Sequence, residues 1–330
     1  MDSPRIYLDH AATTPLRPEA RAAMADGFAL WANPSSPHAE GRRAKRALEE
    51  ARARISHALG WEGELIFTSG ASEALAIALG RSKATRAVVS AVEHDAVFRA
   101  APDAQVFDET APPGEDAVLA VQHVNSETGT INPVSAMAPG VREMGAVLLS
   151  DCSQSAGKLA LPECDMAVVS AHKLGGPIGV GALLVRDFAL LEPIGGHERG
   201  YRQGTENLPG ALGMAAALEA GEWATTREDR AGFAAELAGE RLMIGETVDY
   251  IFALTHPAMS AQALLIRLDA AGFAVSAGSA CSSGTLKKSR VLDAFGVPDD
   301  VASRTIRVSL GWSTMPGELE RFVKAWRSLT

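Results

Sequence analysis

The stretch Ser170-Ala171-His172-Lys173-Leu174-Gly175-Gly176-Pro177 places a lysine directly after an apolar run, Met166 to Ser170, that is typical of a buried strand. Upstream, the run Val147 to Ser150 leads in the same way into Asp151. In an open parallel sheet the strands end at one edge, where ligands bind, so this pattern brings an amine and a carboxylate together. A lone lysine after a strand is more often a solvated loop charge, and the interpretation therefore depends on the motifs around it.

An amine and an acid at one sheet edge suit an aldehyde cofactor that carries a basic ring nitrogen. The lysine can form an imine with the aldehyde, and the carboxylate can hold the protonated ring nitrogen. Those are the two contacts that pyridoxal 5'-phosphate (PLP) needs from a protein. The sequence therefore predicts PLP as the cofactor, with Lys173 and Asp151 as its two main partners.

Composition limits the class of protein but not its chemistry. The chain has 330 residues, of which 47% are hydrophobic and 22% charged, as in soluble globular proteins of more than one domain. Its net charge of −9 argues against general binding to nucleic acid or to anionic membranes. No apolar run is long enough to span a membrane, and Met1 to Arg5 lacks a secretory pattern. Three cysteines without CxxC spacing favour a cytoplasmic protein without a metal site.

Strand and helix patterns alternate through the first two-thirds of the chain. The predicted strands are Leu65–Thr68, Ala87–Ser90, Val118–Val124, Ala146–Ser150, Met166–Ser170 and Gly181–Val185. The predicted helices are Pro18–Leu30, Ser36–Leu59, Ala71–Gly80 and Pro133–Met144. This alternation favours parallel βαβ units, with helices on both faces of one sheet.

The last third of the chain has a different pattern. Helical sequence from Leu208 to Leu242 is followed by a compact α+β pattern that starts near Tyr250. We therefore predict an α/β fold with a mainly parallel central sheet and a smaller α+β C-terminal domain. The predicted large cofactor-binding domain covers 15–226, and the small domain covers 227–330 together with the N-terminal segment 1–14.

The segment Thr68-Ser69-Gly70-Ala71-Ser72-Glu73 joins a strand to a helix through a glycine. Backbone N–H groups at such a helix start can hold a phosphate. The alternative is a simple helix cap by Ser69 or Ser72, with Glu73 complementing the helix dipole. Neither a GxxxxGK[ST] nor a GxGxxG pattern occurs, and further donors on Ser170, His172 and Thr205 suit one phosphate better than two.

Two further side chains follow strand patterns. His94 could stack on a flat ring and carry protons, or it could be a satisfied or solvated histidine. Arg307 alternates with Ile306 and Val308 in a strand, where it needs a partner. A substrate carboxylate or an internal salt bridge would each supply that partner.

The run from Ser276 to Gly284 consists of small residues around Cys281. A thiol on such a mobile, polar loop can ionise and reach outward, although an inert loop residue is the alternative. Cys152 and Cys164 lie beside apolar strands, which predicts that they are buried and unreactive.

In this order, the motifs resemble those of the cysteine desulfurases of the class V aminotransferase group, which are PLP enzymes of fold type I. The resemblance covers nearly the whole chain. It rests on Tyr7–Pro15, Ala32–Ser36, Phe67–Glu73, Glu93-His94, His123–Asn125, the Asp151 and Lys173 motifs, Gly195–Gly200, Arg202–Asn207, the Cys281 loop and the Arg307 strand.

The resemblance implies a role for each matching residue. Lys173 would bond to the cofactor aldehyde, Asp151 would pair with the ring nitrogen, His94 would stack on the ring and Gln154 would contact its phenolic oxygen. Cys281 would carry the sulfur as a persulfide. The phosphate would be held by Ala71, Ser72, Ser170 and His172, with Thr205 of a partner subunit, and the substrate carboxylate by Asn33, Asn125 and Arg307.

The implied reaction converts L-cysteine to L-alanine and passes sulfur to an acceptor or iron–sulfur scaffold protein, in a homodimeric enzyme of iron–sulfur cluster assembly. The alternatives are a selenocysteine lyase or another PLP enzyme of the same group. An alternative of another class is a catalytically silent protein that binds PLP or a phosphate ligand. The chain departs from the family pattern at Ser126, where a second asparagine is usual, and at Leu286-Lys287-Lys288, where the usual Glu-Pro is absent.

Overall fold

The computed structural model describes residues 5–108, 110, 113–277 and 289–329. The chain divides into two compact units. The larger unit consists of 15–123 and 133–221, and the smaller of 1–14, 124–132 and 222–330. The prediction from the sequence kept 124–132 in the large domain, whereas in the structure this segment belongs to the smaller unit.

Strands and helices alternate along the described part of the chain. The strands are β1 (Ile6–Tyr7), β2 (Glu64–Thr68), β3 (Arg86–Val89), β4 (Gln105–Val106), β5 (Ala117–Ala120), β6 (Val147–Asp151), β7 (Met166–Ser170), β8 (Gly181–Val185), β9 (Ile251–Thr255), β10 (Phe273–Ala274) and β11 (Thr305–Ser309). The helices are α1 (Pro18–Leu30), α2 (Ala39–Leu59), α3 (Ala71–Gly80), α4 (Asp95–Ala100), α5 (Val134–Glu143), α6 (Leu208–Ala220), α7 (Arg227–Glu236), α8 (Ala261–Ala270), α9 (Arg290–Ala294), α10 (Asp299–Ala302) and α11 (Pro316–Arg327). Among these described helices, none combines the length and the apolar character needed to cross a membrane.

The larger unit is built on a seven-stranded sheet with the order β2-β8-β7-β6-β5-β3-β4. Strands β4, β3, β5, β6 and β7 are parallel, and only β8 runs against its neighbours. Because β2 is antiparallel to β8, it points in the same direction as the parallel strands. The predicted α/β class with a mainly parallel sheet is confirmed, and six strands end at the same edge.

Strand β8 is the antiparallel member of this mainly parallel sheet. Strands β7 and β8 are joined only by 171–180, which contains a 3-10 turn at Ala171–Lys173. A parallel connection needs a crossover of about a dozen residues or more, so this short link returns the chain antiparallel. The predicted strand to Val124 is also too long, because β5 ends at Ala120.

Apolar residues cover both faces of this sheet. Along β2, Leu65 and Phe67 join a core that includes residues of α1, α2, α5 and α6. Ile66, between them, points to the opposite core, which includes residues of α3 and α4. This alternation follows from the two-residue period of a strand, and it leaves the strand ends to carry polar residues.

In its described residues, the smaller unit contains two short two-stranded sheets and helices α7 to α11. Strand β11 pairs antiparallel with β9, and β1 pairs parallel with β10. Phe322 of α11 lies against the rings of Phe233, Phe273 and Trp326. These aromatic contacts form a core within this unit, consistent with the α+β pattern of the sequence.

Candidate active site

Adjacent strands place Asp151 and Lys173. Asp151 is the last residue of β6 and pairs in register with Val168 of β7, and Lys173 lies in the 3-10 turn directly after β7. The Asp151 carboxylate accepts the backbone N–H of Ser153 at 2.9 Å, which fixes its orientation. The acid and the amine predicted from the sequence therefore follow neighbouring parallel strands at one sheet edge.

His94 stands between the end of β3 and α4, where it is the N-cap of the helix. Its Nδ1 accepts the N–H of Ala96 at 3.1 Å. In a neutral ring this bond places the proton on Nε2. Partial burial lowers the pKa of His94, while the charge of Asp151 raises it and that of Lys173 lowers it further. Asp151 and Lys173 thus both lie within electrostatic range of one imidazole.

The turn after β6 adds a second lysine. Gln154 is buried in this turn, and Lys158 follows in a segment held by hydrogen bonds from Lys158 N and Leu159 N to Ser155 O, both 2.9 Å. Burial, and then the charge of Lys173, lower the pKa of Lys158 to about 7. Lys158 is not predicted as a site residue from the sequence. The sequence pattern that could have indicated it is its position four residues after Gln154.

Ser170 and His172 flank the start of the same 3-10 turn. Ser170 ends β7 and is buried, and His172 directly precedes Lys173. Burial, together with the charges of Lys173 and Lys158, lowers the pKa of His172 to about 4, so this ring is neutral near pH 7. We refer to five side chains as the strand-end cluster: His94, Asp151, Lys158, His172 and Lys173.

The turn between β2 and α3 carries the predicted phosphate residues. Gly70 is the N-cap of α3 with φ of 148°, which a residue with a side chain rarely adopts, and no side chain among the described residues caps this helix. A side chain at Gly181 of β8 would lie 2.7 Å from the Gly70 Cα, so β8 passes directly against the turn. The cap by Ser69 or Ser72 considered from the sequence is absent, and Ala71 and Ser72 form the first helical residues.

Thr205 and Asn33 also belong to the larger unit, and both side chains are exposed. Thr205 follows a segment in which the Gln203 side chain donates to Gly195 O at 2.9 Å. The Asn33 side chain accepts the N–H of Ser35 at 2.8 Å, so its amide NH2 points away from that bond.

Asn125 and Arg307 belong to the smaller unit. The side-chain Oδ1 of Asn125 accepts the backbone N–H groups of Glu127 and Thr128 at 2.9 and 3.0 Å, and these bonds hold a turn. Arg307 is 5% exposed and donates to Asp9 Oδ1 at 2.8 Å and to Ser126 O at 2.9 Å. Its Nε is buried without a hydrogen-bond partner among the described residues. The internal salt bridge considered from the sequence is therefore present, and we call it the Arg307 bridge: Arg307 with Asp9 and Ser126.

The three cysteines separate into two groups. Cys281 lies outside the described residues. Cys152 and Cys164 are buried and free, and burial raises the pKa of the Cys152 thiol to about 12. Burial likewise raises the pKa of Cys164. The prediction that both are buried is confirmed, and a raised pKa disfavours the reactive thiolate. In the described part of the chain, no group of His, Cys, Asp and Glu is arranged to hold a metal ion.

Comparison with known proteins gives a family for this arrangement. The family model for class V aminotransferases matches residues 6–111 and 113–322. A cysteine desulfurase of Cereibacter sphaeroides is 34% identical over 366 residues, with 97% of this chain and 94% of the relative covered. A cysteine desulfurase of Bradyrhizobium diazoefficiens is 35% identical, with 97% and 93% covered.

Solved structures show the same relationship. A NifS-like protein superposes with a TM-score of 0.86 at 27% identity, with 98% of this chain and 99% of that protein covered. The structure described as SspA in complex with cysteine gives a TM-score of 0.78 at 26% identity and covers 94% of this chain and all of the other. The chain belongs to the class V aminotransferase family and, within it, to the cysteine desulfurases.

Proposed function

We propose that this chain is a PLP-dependent cysteine desulfurase, which takes the sulfur from L-cysteine and releases L-alanine. Family membership supports the reaction class. The observation that carries the proposal for this chain is that Asp151 ends β6 and Lys173 follows β7, the neighbouring parallel strand, so that both lie at one sheet edge. A carboxylate, an amine and an imidazole are the groups that PLP chemistry requires.

The residues present fit PLP. The strand-end cluster supplies an amine for the aldehyde and a carboxylate for the ring nitrogen, and the glycine turn at Gly70 leaves the start of α3 open to backbone approach. Lys173, Asp151, His94 and Gln154 would hold the ring. Ala71, Ser72, Ser170 and His172 would hold the phosphate, with Thr205 from a second subunit. When bound, PLP supplies an aldehyde for the substrate amine and a cationic ring that withdraws electrons from the α-carbon.

Lys173 moves the α-proton in this proposal. Its neighbour Lys158, whose pKa is about 7, and the neutral His172 surround it with basic groups. Two amines that repel each other as cations disfavour simultaneous protonation, and a neutral amine is the form that bonds to an aldehyde or accepts a proton. Lys158 therefore favours the neutral form of Lys173.

Asp151 holds the proton on the ring nitrogen. The Ser153 N–H already orients the carboxylate, so it is presented to a ligand in one direction. A charge-assisted hydrogen bond of this kind contributes about 1.5–3 kcal/mol, which is enough to determine the protonation state of its partner.

His94 holds its mobile proton on Nε2, because Nδ1 is committed to the Ala96 N–H. Protonation of Nδ1 would place an N–H group opposite the N–H of Ala96, and these two donors cannot bond to each other. The cap of α4 would therefore be lost. His94 therefore acts as a donor from Nε2 to a sulfur or oxygen atom of the substrate.

We propose that the substrate carboxylate is received by Arg307, Asn125 and Asn33. Arg307 is the strongest of these donors, since a guanidinium can bind a carboxylate through two parallel hydrogen bonds. In the Arg307 bridge one such bond already goes to Asp9, so a substrate carboxylate shares the guanidinium with Asp9 or replaces it.

Cys281 is proposed to accept the sulfur. Its thiolate forms a bond to the substrate sulfur while the carbon–sulfur bond breaks, and the electron pair of that bond goes to the carbon, which takes a proton and becomes the methyl group of L-alanine. The persulfide then passes its outer sulfur to an acceptor, which we propose to be an iron–sulfur scaffold protein. A cytoplasmic homodimer, with Thr205 acting across the interface, completes the proposal.

The test uses the visible absorption of the protein loaded with PLP, together with L-alanine production under a thiol reductant. Cys281→Ser should keep the absorption band and its shift with L-cysteine, whereas alanine production falls by about 100-fold or more. Cys152→Ala, which removes a buried thiol, is the matched control and should keep full turnover. Unchanged turnover in Cys281→Ser would remove the persulfide step, and wild-type protein that stays colourless with added PLP would overturn the proposed function.

A further inference from the structure

Glu73 lies in the first turn of α3, the helix whose start is expected to hold the cofactor phosphate. It is the third residue of α3, and its carboxylate accepts the backbone N–H of Ser69 in the preceding turn. A carboxylate in the first turn of a helix competes with an anionic ligand, both for the N–H groups and through charge repulsion. Without compensation, Glu73 would weaken phosphate binding at Ala71 and Ser72.

Arg202 provides that compensation. Its Nε lies 3.1 and 3.2 Å from the two oxygens of Glu73, and both side chains are largely covered, at 17% and 30% exposure. Burial alone would raise the pKa of Glu73, but the Ser69 N–H and Arg202 hold that pKa below its ordinary value. The carboxylate is therefore ionised, bound on one side by the turn and neutralised on the other by the guanidinium.

The segment that carries Arg202 is fixed to β2, the strand that leads into the same turn. Glu198 has a side chain that is 1% exposed, and it accepts from Arg52 at 2.8 and 3.0 Å and from the Phe67 N–H at 2.8 Å. The backbone N–H of His197 donates to Arg202 O at 2.8 Å. Glu198 and Arg199 adopt φ of 48° and 57°, a left-handed conformation that persists only where contacts fix it.

We propose that Arg202 and Glu73 are positioning residues for the cofactor phosphate: Arg202 neutralises Glu73, and the pair holds the segment that carries Arg202 against the Ser69–Ser72 turn. The inference deepens the proposed function and rests on it. Neither residue donates to the phosphate itself. Their effect is on the charge at the start of α3 and on the shape of the turn.

The test compares single and double variants by their affinity for PLP, measured by equilibrium titration of the visible absorption band. Arg202→Gln leaves the charge of Glu73 uncompensated and should weaken PLP binding by roughly tenfold. The double variant Arg202→Gln/Glu73→Gln removes the repulsion as well and should regain most of that loss. Arg202→Lys, which keeps the charge, should remain within about threefold of wild type.

Arg54→Gln is the matched control, because Arg54 forms a comparable pair with Glu219 on the exposed part of the larger unit. It should leave PLP affinity unchanged. Thermal unfolding of the cofactor-free proteins shows whether each variant is folded. A double variant as weak as Arg202→Gln, or wild-type affinity in Arg202→Gln, would overturn the inference. If wild-type protein binds no PLP, the proposed function fails. This outcome is distinct from one in which wild type binds PLP but the variants do not show the expected order of affinities.

Discussion

The strand-end cluster of the larger unit and the Arg307 bridge of the smaller unit differ in how their positive charges are compensated. The cluster gathers three basic side chains, Lys158, His172 and Lys173, and the pKa values of Lys158 and His172 are lowered as a result. In the bridge, Arg307 is buried but donates to a carboxylate and to a carbonyl of its own chain.

This difference indicates that the strand-end cluster is a site for a ligand, whereas the charge of Arg307 is already compensated by the fold. Repulsion among partly buried basic groups reduces stability, and strongly shifted pKa values occur preferentially at functional sites. A buried arginine with partners on the protein fulfils a structural role before any ligand arrives. We therefore expect variants in the cluster to alter catalysis and variants in the bridge to alter substrate affinity.

Among the variants that compare the two regions, Asp151→Asn should have the largest effect. Asparagine can still accept the Ser153 N–H, so the turn keeps its bond, but the negative charge for the ring nitrogen is lost. Turnover should fall by about 10²–10⁴-fold, measured as L-alanine released at saturating L-cysteine. Asp187→Asn, which changes an exposed acid that accepts the Ala189 N–H, is the control. Near-normal turnover in Asp151→Asn would contradict the assignment of the strand-end cluster as the catalytic region.

A smaller effect is expected for Arg307→Lys. Lysine keeps the charge but cannot make two parallel hydrogen bonds, so the KM for L-cysteine should rise by about tenfold while kcat changes less. Arg304→Lys, in the residue that donates to Asp300 and His256 in the same unit, is the control. If the KM is unchanged, Arg307 serves only the bridge to Asp9. The bridge would then have a structural role alone, and only the strand-end cluster would serve the reaction.

The smallest effect concerns stability and pH. The pKa of His172 is lowered from its ordinary value of 6.5 to about 4, so the unfolded chain binds this proton before the folded protein does. The stability that neutral His172 supports is complete above pH 6.5 and is lost as the pH falls from 6.5 to about 4. His94 and His123, whose pKa values burial also lowers, add to the same trend.

Unfolding of cofactor-free protein by urea, measured at several values of pH from 7 to 4, checks this expectation. His172→Gln should lose less stability over this range than wild type, whereas His57→Gln, in an exposed residue of α2, should follow wild type. Identical slopes for His172→Gln and wild type would contradict the burial of His172 in the basic cluster.

Local patterns were sufficient to predict most of the larger unit. Strands β7 and β8 and helices α1 and α3 have the predicted bounds, because their apolar runs end at clear polar or glycine positions. The apolar run of β8 predicts a strand but not its direction, which depends on the short connection from β7. The strand-end residues were predictable because parallel strands end at one edge whatever the details of packing.

Contacts between distant parts of the sequence could not be predicted. Asp9 meets Arg307 across 298 positions, and Glu198 meets Arg52 across 146. The segment 124–132 joins the smaller unit because Thr130 pairs with Thr247 and because Gly129 lies against Ile251, where a side chain would come within 2.5 Å of the Ile251 oxygen. No local period or motif reports such pairings, which depend on tertiary packing.

The most direct test of the central claim locates the lysine that bonds to PLP. Wild type, Lys173→Ala and Lys45→Ala are each mixed with PLP, their visible absorption is recorded, and each is then reduced with borohydride and analysed by peptide mapping. We expect wild type and Lys45→Ala to carry the reduced cofactor on the peptide that contains Lys173, and Lys173→Ala to carry none and to make no L-alanine. Cofactor fixed to another lysine, or full turnover in Lys173→Ala, would contradict the assignment of Lys173 as the cofactor lysine.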